Sequence, residues 1–239
     1  MFETLSTKME ANKIFSQAVQ DEDINLIEEL FKGDIVPDID LGFPTGTAIF
    51  ISASKKNWNL FNKLFLLEAD LDIPSTNSNW CVIHECVKNA PLDIIKGILP
   101  YCNSDAQTVR GENALMVAIR EKRNDVIELL LTEDSCNLKL TDKQGNNVAH
   151  LAANNELYDV FLKLVKLGVP LNKENKQGKL PGDLINDENI KQMLPNIEIK
   201  KNNIKTIAIN KESDIKDIEK DEEKNKPVLS GLSKIKKIN

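Results

Sequence analysis

The sequence predicts an all-α solenoid of stacked helix–turn–helix units with β-turn tips, followed by a charged, mostly disordered tail. Three observations predict this fold class. Two kinds of side-chain marker recur about every 33 residues. Apolar residues recur at helical spacing within each unit. The last 44 residues contain no aromatic residue and are rich in charge.

The repeat is defined by five equivalent positions with spacings of 34, 32, 34 and 33 residues. The glycines of the preceding turns keep the same phase, with spacings of 34 and 33 residues. Because two independent markers agree, the pattern indicates units that must stack to bury their apolar faces. The equivalent positions are Phe50, His84, Met116, His150 and Asp183, and the glycines are Gly111, Gly145 and Gly178.

Each unit is predicted to contain a first helix and a longer second helix. Asn113, Asn147 and Thr47 precede first helices, as N-capping residues do. Pro181 stands at a first helical position, and Gly168 ends a second helix. Small residues let the first helices of neighbouring units approach closely; they are Ala53, Cys86, Ala118 and Ala152.

This phase predicts one repeat domain at 1–195 and a tail at 196–239. The domain consists of a degenerate cap unit at 8–36, repeats at 42–74, 76–107, 108–141 and 142–174, and a short closing unit at 175–195. The tail carries 11 lysines and 8 acidic residues, whereas residues 1–195 carry 20 basic and 29 acidic residues. The tail has too little apolar surface to offset its ordering entropy, so disorder is expected.

The clearest unit covers residues 141–172 and supplies a family resemblance. It carries Asp142, Gly145, the sequence NVAH at 147–150, LAA at 151–153, Gly168 and Asn172. These fall where the ankyrin repeat has D-x-x-G, T-P-L-H, L-A-A, the glycine of GAD and a final asparagine. The sequence EADLD at 68–72 is similar to the family's GADVN. The chain therefore resembles ankyrin-repeat proteins over about residues 8–194.

The resemblance implies an ankyrin-repeat solenoid that binds another protein on its concave face, which is built from turn tips and first-helix ends. The candidate partner-binding residues, placed by phase, are Trp80, Phe43, Asn77, Ser78, Lys88, Arg110, Glu112, Arg120, Lys143, Gln144, Asn146 and Asn154. Trp80 stands out because tryptophan and arginine are enriched among interface hot spots. The alternative is that its ring packs against a neighbour, since Asn79 replaces the turn glycine there.

Catalysis is not expected, because the two histidines occupy repeat positions and no nucleophile–base pair or phosphate loop is evident. A remote alternative is a metal-dependent enzyme that uses Cys81, His84, Cys86 and Cys102. Their spacing matches no common zinc pattern, and the resemblance implies that His84 orients its turn. No metal, cofactor or small-molecule substrate is therefore expected.

The excess of acidic residues in 1–195 argues against nucleic acid, and no span of about 18 apolar residues suggests a membrane helix. The four cysteines and the absence of an export signal favour a reducing, cytoplasmic location. The predicted protein is an adaptor or inhibitor. The alternative is a type IV effector that an intracellular bacterium delivers into a host cell, since the charged tail is similar to those of secreted effectors. The tail is also predicted to fold back on the acidic domain.

Overall fold

Helices are the regular elements of residues 7–192, the part of the chain that the computed structural model describes. A single β-bridge joins Phe43 and Gly46 within this range, which contains no longer strand. The predicted all-α class is therefore confirmed. Residues 7–186 belong to one compact unit and residues 187–192 to a second, in which a helix begins at residue 188. The predicted tail at 196–239 lies outside the described residues.

The helices of the first unit follow one another in pairs. These pairs are α1 (Lys8–Asp21) with α2 (Ile24–Leu30), α3 (Ala48–Ser54) with α4 (Trp58–Leu66), α5 (Val82–Asn89) with α6 (Leu92–Ile98), α7 (Ala114–Arg120) with α8 (Asn124–Thr132), and α9 (Val148–Asn154) with α10 (Tyr158–Lys166). Two 3-10 helices, Leu99–Tyr101 and Pro181–Leu184, follow α6 and α10.

The first helices of successive pairs pack on one another in a row. Helix α3 contacts α5, α5 contacts α7, α7 contacts α9, and α9 contacts the 3-10 helix Pro181–Leu184. The small residues predicted for this packing are fully buried, which explains how the helices approach so closely; they are Ala53, Cys86, Ala118 and Ala152. Each second helix buries its apolar stripe against its own first helix, and α6 also contacts α8.

Two of the three predicted N-caps form as expected. The side chain of Asn113 accepts a hydrogen bond from the Met116 N–H at 3.1 Å, and that of Asn147 accepts from the His150 N–H at 3.0 Å. Thr47 stands at the N-cap of α3, but its side chain makes no capping hydrogen bond, and its buried Oγ1 has no partner. The predicted capping role of the Thr47 hydroxyl is therefore wrong, although its position is right.

Acidic side chains join the loops of neighbouring units. The Oδ1 atom of Asp40 accepts from the Asp70 N–H at 2.9 Å, and that of Asp72 accepts from the Asn103 N–H at 2.8 Å. The Oδ1 atom of Asp105 continues the series to the Asn137 N–H at 2.7 Å. These bonds satisfy backbone donors that would otherwise need water, and they fix the offset between units.

Thr47 and Asn113 form a matched pair for a stability test. Thr47→Val replaces an unpartnered buried hydroxyl with a methyl group, so the free energy of unfolding should stay equal or rise by up to about 1 kcal/mol. Asn113→Ala leaves the Met116 N–H without its capping hydrogen bond and should lower the free energy of unfolding by about 1–2 kcal/mol. Urea unfolding of both variants measures the difference. If Thr47→Val loses as much free energy of unfolding as Asn113→Ala, the Thr47 hydroxyl must have a hydrogen-bond partner after all.

Candidate functional site

The turn tips lie between units and are held by one polar side chain each. The Oγ1 atom of Thr108 accepts from the N–H of Arg110 at 3.2 Å and of Glu112 at 3.3 Å. The Oδ1 atom of Asp142 accepts from two N–H groups of its own tip, those of Gln144 and Asn146, both at 2.8 Å. Because each tip is closed by its own side chain, its outer residues are free to face a partner.

Glycine is required where neighbouring tips approach each other. Gly111 has a φ of +77°, and a Cβ atom there would lie 2.8 Å from the backbone nitrogen of Lys143. Asn79 takes the equivalent place in the preceding unit with a φ of +53°. Asparagine tolerates this left-handed conformation better than most residues, which explains the substitution.

Backbone hydrogen bonds join successive tips into one continuous edge. The N–H of Val109 donates to the carbonyl oxygen of Ser78 at 2.9 Å, and the N–H of Lys143 donates to that of Arg110 at 2.8 Å. The N–H of Lys176 donates to the carbonyl oxygen of Gln144 at 2.8 Å. The tips therefore present their side chains from a common, hydrogen-bonded support.

The two histidines brace the tips from below. The Nδ1 atom of His84 accepts from the Cys81 N–H at 3.0 Å, and its Nε2 atom lies 2.9 Å from the carbonyl oxygen of Ala106. His150 repeats the arrangement with the Asn147 N–H at 3.2 Å and the Lys179 carbonyl oxygen at 3.1 Å. Each ring therefore links the start of a first helix to the next tip, and in His84 this pattern fits the neutral tautomer with hydrogen on Nε2.

Trp80 lies at the junction of a tip and two first helices. Its ring is half-buried, with its centroid 5.9 Å from that of His84. The Nζ atom of Lys88, on α5, lies 5.8 Å from the centroid of the indole ring, and the Cζ atom of Arg120, on α7, lies 6.0 Å from it. The ring thus packs against His84, as the structural alternative expected, and it keeps an accessible part between two cations.

Glu112 holds Arg120 beside this ring. Its Oε1 atom accepts from the Arg120 Nε–H at 3.0 Å, while Glu121 accepts from the Arg120 NH1 group at 2.6 Å. Glu112 is only 5% exposed, and its Oε2 atom has no hydrogen-bond partner. The sequence placed Glu112 among the surface residues of the tips. That placement is wrong, because the carboxylate turns inward to meet Arg120.

The other predicted surface residues differ in accessibility. Those with exposed side chains are Asn77, Lys88, Arg110, Lys143, Gln144 and Asn154, and those half-buried are Phe43, Ser78, Arg120 and Asn146. The Nδ2 group of Asn146 donates to Asp142 at 2.9 Å and its Oδ1 accepts from Asn175 at 2.8 Å, so it holds the tips together. A small cavity of about 200 Å³ has Gln144, Asn146 and Asn154 in its lining.

Arg123 has a structural role that no pattern in the sequence indicated. Its guanidinium donates to the carbonyl oxygen of Ala90 at 3.1 Å and to Asp125 at 2.8 Å. The Asp125 side chain in turn helps to raise the pKa of the guanidinium. Arg123 thereby ties the α7–α8 turn to the end of α5.

The four cysteines are free thiols, and three of them are buried. Burial raises the pKa of Cys81 to about 11 and that of Cys102 to about 12, and it also raises the pKa of Cys86. Such thiols are protonated at neutral pH and are poor nucleophiles and ligands. Both ring nitrogens of His84 serve backbone groups. No group of three or more potential ligands in residues 7–192 is arranged to hold a metal ion.

The stacked helix pairs and bonded tips define a helical repeat protein. Residues 83–175 match the family model of ankyrin repeats, with three copies. Over these residues the chain is similar to ankyrin repeats, in line with the resemblance seen in the sequence. Comparison with curated proteins finds no similar sequence. Ankyrin repeats are generally protein–protein interaction modules. No helix within residues 7–192 is both long and apolar enough to cross a membrane.

The bracing histidines predict a pH dependence of stability. Burial lowers the pKa of both His84 and His150 in the folded protein. The unfolded chain therefore binds protons first, so stability is fully present above about pH 6.5 and falls as the pH drops towards the folded pKa. Between pH 7 and pH 5.5 each histidine should account for a loss of up to about 1 kcal/mol.

His84→Met isolates this effect, because Met116 occupies the equivalent place in the next unit. The variant should be less stable than the wild type at pH 7, since it loses two hydrogen bonds. The difference in free energy of unfolding between the wild type and the variant should be smaller at pH 5.5 than at pH 7, by up to about 1 kcal/mol. Denaturant unfolding at both pH values measures this difference. A difference that stays constant with pH would show that His84 is not held neutral.

Proposed function

We propose that this protein recognises another protein on the concave surface formed by the tips and the first-helix ends, and that it acts as an adaptor or inhibitor without catalysis. The observation that carries the proposal is the accessible part of Trp80, flanked by Lys88 and Arg120. An aromatic ring held beside cations on a rigid support loses little entropy on binding, and such residues dominate binding energies. The family match supports the general role of protein recognition.

The arrangement of polar groups supports binding rather than chemistry. The histidines and tip carboxylates are used to close turns, and Glu112 is paired with Arg120. The proposed partner is therefore a protein, with no small-molecule substrate and no cofactor. The proposed site of action is the cytoplasm of the producing cell.

Delivery into a host cell as a type IV effector is the second candidate. Its specific support is the composition of residues 196–239, which lie outside the described residues. A translocation reporter fused to these residues tests it in a producing bacterium. Export that depends on the segment would favour the effector role, and retention of the reporter would argue against it.

Trp80→Ala tests the proposed binding surface, and Trp58→Ala is its matched control. Both tryptophans are half-buried, but Trp58 begins α4 and packs edge-on against Phe61, away from the tips. Trp80→Ala should weaken partner binding by about 2 kcal/mol or more while changing stability by less than about 1 kcal/mol. Trp58→Ala should leave binding unchanged.

The measurement is affinity capture from lysates with full-length wild type and both variants as baits, identified by mass spectrometry. A captured protein is then purified and its Kd is measured. Lys88→Glu reverses an exposed charge beside the ring, so it tests the surface without threatening the fold. If a partner binds all the baits equally well, the concave surface is not the binding site.

A further inference from the structure

We propose that the partner presents an acidic segment to a row of basic side chains on the tips. This inference rests on the proposed function and adds the chemistry of the partner. The basic tip row consists of Arg110, Lys143 and Lys176, which lie on three consecutive tips. All three side chains are exposed. Their ammonium and guanidinium groups would pair with carboxylates of a bound polypeptide.

The row is continuous because the tips are bonded to one another. The N–H of Lys143 donates to the carbonyl oxygen of Arg110. The N–H of Lys176 donates to the carbonyl oxygen of Gln144, which lies on the same tip as Lys143. Lys143 and Lys176 are equivalent positions of adjacent units. Packed helices of adjacent units lie about 10 Å apart. An extended chain covers this distance in about three residues, so acidic residues at every third position would match the row.

The basic tip row lacks internal charge partners, in contrast to lysines elsewhere. On the helices and at their C-terminal ends, Lys63 pairs with Glu28 at 2.8 Å, Lys55 pairs with Glu22 at 3.2 Å, and Lys163 pairs with Glu128, each across neighbouring units. Within residues 7–192, no ion pair involves any member of the row.

Three carboxylates lie close to the row along the described part of the chain, and none of them forms an ion pair with it. Asp142 uses its oxygens to close its own tip, and Glu112 is buried against Arg120. Glu174 precedes the last tip, where its Oε2 atom lies 4.0 Å from the place of a Cβ atom on Gly178. Lys179 adds a further exposed cation to that tip. The tips therefore carry exposed cations without ion-pair partners among residues 7–192, on a domain in which acidic residues outnumber basic ones.

This charge contrast favours an acidic protein segment over a nucleic acid. Residues 1–195 carry 29 acidic and 20 basic residues, so a long polyanion would meet repulsion beyond the row. A short acidic segment meets only the row. The adjacent Trp80 offers an aromatic surface for an apolar side chain next to that segment.

The test uses full-length protein and a labelled peptide of about twelve residues with glutamate at every third position. Fluorescence anisotropy should show binding that weakens as ionic strength rises to about 0.15 M. The triple variant Arg110→Gln, Lys143→Gln, Lys176→Gln should lower the affinity about tenfold, as expected for three exposed ion pairs. The control variant Lys96→Gln, Lys122→Gln, Lys166→Gln has the same net charge and should bind like the wild type.

The outcomes separate this inference from the proposed function. Equal losses in both triple variants, or equal binding of a glutamine version of the peptide, would overturn the acidic-segment inference. Tighter binding of an oligothymidylate of similar charge would also overturn it in favour of nucleic acid. A partner that is captured by the wild type but not by Trp80→Ala can also be tested against the tip triple variant. If it binds that variant normally, the proposed function stands and the acidic-segment inference is wrong. If that partner fails to bind the tip triple variant but still binds the control triple variant, both the proposed function and the acidic-segment inference are supported.

Discussion

The stacking of first helices is the constraint on which the rest of the structure depends. A helix of seven or eight residues, such as α3 or α5, is too short to be stable alone. Each is stabilised because its neighbours cover it, and the buried Ala53, Cys86, Ala118 and Ala152 leave room for that contact. Since every unit needs the next, the array is built as a stack, and the distances between its turns follow from the packing of its helices.

The stacked first helices position the tips. His84 and His150 link first helices to the following tips, and backbone hydrogen bonds join the tips to one another. Side chains on such an edge are positioned before any partner arrives, which reduces the entropy lost on binding. Internal polar groups therefore hold the edge together, and Arg110 and Lys143 are exposed on it.

Electrostatics distinguishes the helical part of the stack from its edge. On the helices, carboxylates of one unit pair with lysines of the next, as in Lys63 with Glu28. At the tips Asp142 is used for turn closure and Glu112 for orienting an arginine. The domain is acidic in total, yet its hydrogen-bonded edge carries exposed cations that form no ion pair within the described residues. The net charge of the domain therefore does not describe the charge at this edge.

The sequence by itself determined the repeat period, the all-helical class, and the caps at Asn113 and Asn147, whereas the role of the bracing histidines was implied by the family resemblance. These features depend on local spacing, which can be counted along the chain. Only the tertiary structure decided that Glu112 turns inward, that Arg123 ties two units, and that the Thr47 hydroxyl has no partner. These outcomes depend on which groups the fold brings within hydrogen-bond distance, and a repeat phase carries no information about that distance.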